Sequence, residues 1–102
     1  MVRYINLFEV PEGRDDEFMA MFLQVNAHMT AQSGYLGHRM HRALAPDARY
    51  RYVNYVEWAS VDDFKAAHGE EFRALVSKPE WRDFVATPAL YDVVHEHSAV
   101  SN

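Results

Sequence analysis

An asparagine and a tryptophan stand four residues apart in the aromatic stretch YVNYVEW, residues 52–58. Its tyrosines, valines and tryptophan favour a β-strand, whereas Asn54 does not, because its side-chain amide competes with the backbone for hydrogen bonds. Side chains alternate along a strand, so Tyr52, Asn54 and Trp58 should share one face. An amide N–H beside aromatic rings can donate to an oxygen that gains negative charge during a reaction. We therefore predict that Asn54 and Trp58 are catalytic and that Tyr52 binds substrate, although Trp58 could equally be a residue of the hydrophobic core.

A second asparagine, Asn6, alternates with Tyr4 and Phe8 in the first predicted strand. The first and third strands form the central pair of a ferredoxin-like sheet, so Asn6 and Asn54 are expected on neighbouring strands and on one face. Either amide could instead be structural and bond to backbone or water, since an unsatisfied buried amide costs about 1–3 kcal/mol. Two amides near Trp58 favour a pocket, in which Asn6 and Phe8 contact substrate.

One histidine is the candidate general base. His68 lies in the helix predicted after Trp58, and an imidazole suits proton transfer because its pKa lies near neutrality. The alternative is a solvent-exposed helical histidine with no chemical role. Phe64, in the same helix, is predicted to contact substrate through its ring, although the helical phenylalanines also fit a buried stripe.

The other histidines predict no metal site. His38 and His41 are three residues apart on a predicted strand and therefore face opposite sides. His95 and His97 share a face, but no third ligand is obvious. The chain has no cysteine, and no Gly-rich phosphate loop or Ser-His-Asp set appears. The prediction is that neither a metal nor another cofactor is needed.

The elements that position these residues follow from hydrophobic periodicity and turn signals. In order, they are a strand at 2–10, a helix at 14–32, strands at 35–44 and 49–59, a helix at 61–77 bent near Gly69, a short turn at 79–86 and a strand at 89–97. This β-α-β-β-α-β order predicts an α+β, ferredoxin-like fold, with two helices on one face of a four-stranded antiparallel sheet.

Composition limits the class of protein. The 102 residues, 49% hydrophobic and 25% charged, indicate one globular domain over 1–102. A net charge of −5 argues against nucleic acid or an anionic membrane as partner, and no apolar run approaches the length of a membrane span, so a cytoplasmic protein is expected. The sheet face without helices would expose apolar side chains from all strands, which predicts a homodimer whose sheets meet as a barrel.

Four segments carry a resemblance to a known family: YINLFEVPEG, SGYLGHRMHR, YVNYVEWASVDDFKAA and PALYDVVHEH. With them the chain resembles the antibiotic biosynthesis monooxygenase family of dimeric α+β barrels. Some members are cofactor-free oxygenases that turn polyketide anthrones into quinones, with an asparagine and a tryptophan four residues apart lining the pocket. Asn54 and Trp58 match that spacing. Phe64 stands where those members can carry a tyrosine, so a hydroxyl role is lost there.

The same family includes haem-degrading enzymes, whose first-strand asparagine matches Asn6. Their second tryptophan would fall near Ala67 and their haem-ligating histidine near Val76, so neither is present. The resemblance therefore implies a cofactor-independent monooxygenase that uses O2 to oxidise a polycyclic aromatic or phenolic substrate, of the polyketide anthrone type, to a quinone. The alternatives are a haem-binding or haem-degrading enzyme and a non-enzymatic ligand-binding dimer.

Overall fold

The order of elements confirms the ferredoxin-like prediction. A computed structural model describes residues 1–100 of the chain. Its elements are β1 (Val2–Glu9), α1 (Asp15–Thr30), β2 (Tyr35–Arg42), β3 (Tyr52–Trp58), α2 (Val61–Ala67), α3 (Glu70–Val76), a 3₁₀ helix (Pro79–Asp83) and β4 (Val85–Tyr91). Within the described residues, no helix is long and apolar enough to cross a membrane.

The sheet brings the two predicted asparagines together. Its strand order is β2-β3-β1-β4, with each pair of neighbours antiparallel, so β1 and β3 are the central strands as predicted. Asn6 lies directly opposite Asn54 on β3 and opposite Pro88 on β4. Directly opposite side chains in an antiparallel pair point to the same face. The two amides therefore share the helix-covered face of the sheet.

Two hydrophobic clusters fill the space between that face and the helices. α1 supplies three buried residues, Phe18, Phe22 and Met29. The first cluster contains Phe8, Phe18, Phe22, Tyr52 and Phe84. The second contains Met29, Val56, Trp58 and Ala67. The clusters hold α1 and the later helices against β1 and β3.

The junction from β3 to α2 is fixed by a cap and a glycine. Ser60 Oγ accepts a hydrogen bond from the Asp63 backbone N–H at 3.1 Å, which caps α2. Gly34 has φ +81°, and a Cβ there would collide with the Asp63 side chain. The Ala59 N–H donates to the Gly34 carbonyl at 2.8 Å. These contacts set the start of α2 immediately after Trp58.

The second predicted helix is broken rather than bent. α2 ends at Ala67 and α3 begins at Glu70. Between them His68 (φ −99°, ψ 40°) and Gly69 (φ −86°, ψ −149°) leave helical geometry. His68 consequently stands at the C-terminal end of α2 instead of within a continuous helix.

The predicted last strand is present, but its predicted bounds were wrong. β4 spans Val85–Tyr91 instead of 89–97, and residues 92–100 are exposed without regular secondary structure. Pro88 interrupts the strand pattern in the sequence because proline lacks a backbone N–H. β4 is an edge strand with a single neighbour, and an edge position tolerates proline because one side of its backbone needs no partner.

The other face of the sheet is not covered by helices. On it Ile5 lies opposite Tyr55, and Leu7 lies opposite Val53. All four side chains are half-buried within one chain. The Arg3 Nε donates to the Tyr55 hydroxyl at 2.9 Å. This face therefore combines an apolar centre with polar groups that are already hydrogen-bonded.

Candidate active site

A cavity of about 350 Å³ lies between the helices and the sheet. All four strands, α1 and α3 contribute to its walls, which are mainly aromatic and aliphatic. This size and composition are typical of small-molecule sites. Five of the seven residues predicted for the site line the cavity: Asn6, Phe8, Asn54, Trp58 and His68.

The two asparagines differ in how they are satisfied. Asn54 is 8% exposed, and its Oδ1 lies 3.1 Å from the Nδ1 of His38. Asn6 Oδ1 is buried and has no hydrogen-bond partner within residues 1–100. A buried acceptor without a partner is unfavourable by about 1–3 kcal/mol, so it needs a reason. Because Asn6 lines the cavity, a ligand that donates to it would supply that reason.

Trp58 is both a core residue and a cavity wall. Its side chain is 1% exposed, and its Nε1–H is buried without an acceptor in the described part of the chain. The indole meets Tyr35 and His68 edge-on, with ring centroids 5.7 and 5.8 Å away. Packing against these rings fixes the indole. A residue that lines this mainly apolar cavity therefore carries an oriented donor without a partner.

His68 has a defined tautomer and a lowered pKa. Its Nδ1 lies 2.7 Å from the Phe64 carbonyl oxygen, which can only accept, so Nδ1 carries the hydrogen. Burial lowers the pKa of His68 below its ordinary value, outweighing the opposite effect of that backbone hydrogen bond. The ring is therefore neutral near pH 7, and its Nε2 lone pair is available to accept a proton.

Phe64 stands behind the cavity wall instead of within it. Its ring packs against His68 with centroids 4.1 Å apart and against Tyr4 at 4.8 Å. It is absent from the cavity lining, so the predicted substrate contact is not seen. Its position in α2 places it one layer further out, where it supports two residues that do line the cavity.

Tyr52 is also absent from the lining. Its ring is 4% exposed, and its hydroxyl donates to the Asp15 carboxylate at 2.7 Å. Burial raises the pKa of Tyr52, and the neighbouring Asp15 adds to that shift. The alternation of β3 gives Tyr52 the correct face, but it lies at the end of the strand near the start of α1. It links β3 to α1 instead of meeting the cavity.

Tyr4 is the main cavity residue that sequence reasoning did not select. It lines the cavity beside His68, with ring centroids 5.3 Å apart. Burial raises its pKa to about 12, so its phenol stays protonated at neutral pH. The available signal was its alternation with Asn6 and Phe8 on β1. Tyr4 thus adds a neutral hydroxyl to the same wall.

Solved structures of similar proteins share this architecture. A proposed monooxygenase from Shewanella loihica PV-4 matches with a TM-score of 0.82 and 27% identity, covering 93% of this chain and 95% of that chain. SnoaB, a cofactor-independent oxygenase from Streptomyces nogalater, matches with a TM-score of 0.78 and 25% identity, covering 93% and 94%. The haem-degrader MhuD from Mycobacterium tuberculosis matches with a TM-score of 0.71 and 25% identity, covering 96% and 100%.

The sequence also matches a family model. The model for antibiotic biosynthesis monooxygenases covers residues 1–87, which include β1 to β3, all the helices and the start of β4. The predicted resemblance is thereby confirmed over most of the chain. This protein belongs to the antibiotic biosynthesis monooxygenase family.

Proposed function

We propose that the protein is a cofactor-independent monooxygenase that oxidises a polycyclic aromatic or phenolic substrate, of the polyketide anthrone type, to a quinone with O2. The observation that carries the proposal is a largely apolar cavity, two of whose lining residues each carry a buried polar atom without a partner, Asn6 Oδ1 and Trp58 Nε1. An apolar wall suits a flat aromatic ring system, and the two atoms suit its oxygen substituents. SnoaB, a cofactor-independent oxygenase with the same fold, supports this chemistry.

The polar atoms of the lining residues indicate which oxygen groups the substrate should carry. Trp58 Nε1–H can donate to an oxygen that gains charge as the substrate loses a proton. Asn54 can donate to the same oxygen through its NH2 group. Preorganised donors of this kind can each contribute about 10²-fold or more to a rate. Asn6 Oδ1 can accept from a neighbouring hydroxyl of the substrate, which orients the rings.

His68 is proposed as the base. A neutral ring with its hydrogen on Nδ1 can take a proton on Nε2 from an acidic C–H or O–H of the substrate. The resulting electron-rich anion can pass one electron to O2, which lowers the spin barrier to reaction without a flavin or metal. Tyr4 and Phe64 hold the imidazole in an aromatic environment that limits access of water.

The overall reaction balances without an external reductant. In an anthrone the methylene carbon loses two hydrogens and gains one oxygen atom, a four-electron oxidation to the quinone carbonyl. O2 accepts those four electrons, placing one oxygen atom in the product, while the second leaves with the two hydrogens as water. His68 holds the first proton until it is returned to the reduced oxygen.

Oxygen uptake tests the proposal. The purified protein, treated with a chelator, should consume one O2 per molecule of the anthrone dithranol oxidised, and one atom of labelled O2 should appear in the product. Asn54→Ala should reduce the rate by about 10²-fold. Binding of dithranol without protein-dependent oxygen uptake would reject the oxidation and favour the non-enzymatic ligand-binding alternative.

We also propose that the protein is a homodimer formed through the open sheet face, which carries Ile5, Leu7, Val53 and Tyr55. These side chains are adjacent and only half-buried in one chain, so a second copy would remove their apolar surface from water. Light scattering at micromolar concentration should give twice the mass of one chain. Leu7→Glu should shift that mass toward the monomer, and a monomeric wild-type protein would reject the interface.

Haem binding is a second candidate function, favoured by the geometry of His68. An imidazole whose Nδ1–H is held by a backbone carbonyl is the usual form of a metal-binding histidine. His68 would hold the iron through Nε2, and haem would then supply the oxygen-activating centre. A haem titration tests this: a Soret band that is lost in His68→Ala would support it. Unchanged free-haem spectra with wild-type protein would reject it.

A further inference from the structure

We propose that His38 is a positioning residue, which holds the Asn54 amide so that its NH2 group faces the cavity. The effect of His38 on turnover rests on the proposed function, whereas its effect on the orientation of the amide does not. The distinction matters because only one of the two amide orientations can stabilise an anion.

His38 is held firmly next to the amide. It lies opposite Val56 on β3, two cross-strand pairs along from Met40 and Asn54 and therefore on the same face of the sheet. The ring is half-buried, with Phe22 at a centroid distance of 5.7 Å and Tyr35 at 6.5 Å. Its Nδ1 lies 3.1 Å from Asn54 Oδ1, a normal hydrogen-bond distance. The imidazole therefore has little freedom to turn away.

The atoms in contact determine the direction of the hydrogen bond. An amide oxygen can only accept, so Nδ1 of His38 must be the donor. With its oxygen engaged, Asn54 keeps both N–H groups, and neither donates to another of residues 1–100. Asn54 lines the cavity, so these donors are available to a ligand. Across the strand pair, Asn6 offers the complementary acceptor.

The opposite arrangement would work against the chemistry. If Nδ1 of His38 were unprotonated, the Asn54 NH2 would turn to it and the amide oxygen would face the cavity. Two amide oxygens, from Asn54 and Asn6, would then lie on one wall and repel a negatively charged oxygen. The tautomer of His38 thus decides whether Asn54 stabilises or opposes the anion.

Nitrogen NMR of the full chain tests the orientation without any substrate. At pH 7.5 the long-range ¹H–¹⁵N spectrum of labelled protein should give a pyrrole-type, protonated Nδ1 for His38, assigned by its loss in His38→Asn. In His41→Leu, a control on the same strand but the opposite face, the His38 signals should be unchanged. A pyridine-type Nδ1 at His38 would overturn the proposal.

A double-mutant cycle tests the consequence for turnover, with dithranol and oxygen uptake as the assay. His38→Leu removes the donor and should lower kcat at least tenfold, whereas His38→Asn should remain within a few-fold of wild type, because the asparagine Nδ2 occupies the place of the histidine Nδ1. In an Asn54→Ala background, His38→Leu should have no further effect. An equal loss in both backgrounds, or no loss in either, would overturn the proposal.

The two measurements separate failure of this inference from failure of the proposed function. A wild-type protein that does not oxidise dithranol would contradict the proposed function, while the His38 tautomer would still decide the orientation of Asn54. An active wild-type protein with a pyridine-type Nδ1 would reject the positioning role alone. Circular dichroism and melting temperatures of each variant verify that the compared proteins are folded.

Discussion

Replacing Asn6 by leucine should stabilise the empty protein and impair its function. The Asn6 side-chain oxygen is buried without a partner in the described chain. Leucine has nearly the same shape, so the substitution removes an unsatisfied acceptor without opening a cavity. An unsatisfied group of this kind costs about 1–3 kcal/mol. Because Asn6 is half-buried, we expect the lower end, a gain of about 1 kcal/mol, or about 4 °C or more in melting temperature.

The opposite asparagine provides the matched comparison. Asn54 Oδ1 accepts from His38, so Asn54→Leu leaves a half-buried donor unpaired. That variant should lose about 1–3 kcal/mol of unfolding free energy. Two asparagines that face each other across one strand pair should thus respond to the same substitution with opposite signs.

Thermal and urea unfolding, each with and without a hydroxyanthraquinone ligand, measure both effects. A ligand at 100 times its Kd raises the free energy of unfolding by about 2.7 kcal/mol. Asn6→Leu should reduce this ligand-induced increase, because leucine cannot accept a hydrogen bond from the ligand hydroxyl. If Asn6→Leu lowers the melting temperature and keeps full turnover, the amide is structural and the assignment of its role is wrong.

Other predictions concern the proposed base His68, the indole of Trp58 and the turn at Gly34. Burial lowers the pKa of His68 below its ordinary value of 6.5, so kcat/KM plotted against pH should rise through a pKa below that value and stay level above it. The folded state then binds fewer protons than the unfolded chain, so urea unfolding should show stability decreasing as pH falls from about 6.5 toward the folded pKa. Trp58→Phe should lower the rate of oxygen uptake by about 10²-fold, and full activity in this variant would contradict a donor role for Nε1. Trp58→Ala should lower the free energy of unfolding by about 3–5 kcal/mol. Gly34→Ala should lower the melting temperature, because L residues at positive φ are strained by about 1–2 kcal/mol and its Cβ would meet Asp63; an unchanged melting temperature would contradict this.

The main features of the site could be predicted because they depend on periodicity and element order. A period of two puts Asn54 and Trp58 on one face, and the ferredoxin-like order makes β1 and β3 neighbours. Those two patterns predict that Asn6 and Asn54 lie side by side, without information on any contact. Alternation does not show where along a strand the helices leave a cavity. Tyr4 and Tyr52 therefore looked equivalent, although only Tyr4 lines it.

The partner of Asn54 could not be predicted for a different reason. The pairing of β2 with β3 shifts register between Tyr35 and Gly37. This irregularity lets Tyr35 and His38, which simple alternation would place on opposite faces, both contact the helix-covered side. The backbone of Gly37 at φ +154° accommodates it. Such a shift depends on the tertiary packing of the strand, which a pattern of residue types does not encode.

The division of the core into two clusters has a consequence for how this fold can diverge. Besides Asn6, Asn54 and His68, four residues of the cavity wall belong to neither cluster: Asn26, Val76, Ala86 and Pro88. Substitutions at these positions change the volume and polarity of the cavity while the two clusters keep their packing on either side. Acceptance of a ligand of different shape therefore requires little loss of stability. Selection can alter substrate range at this part of the wall independently of the residues that keep the chain folded.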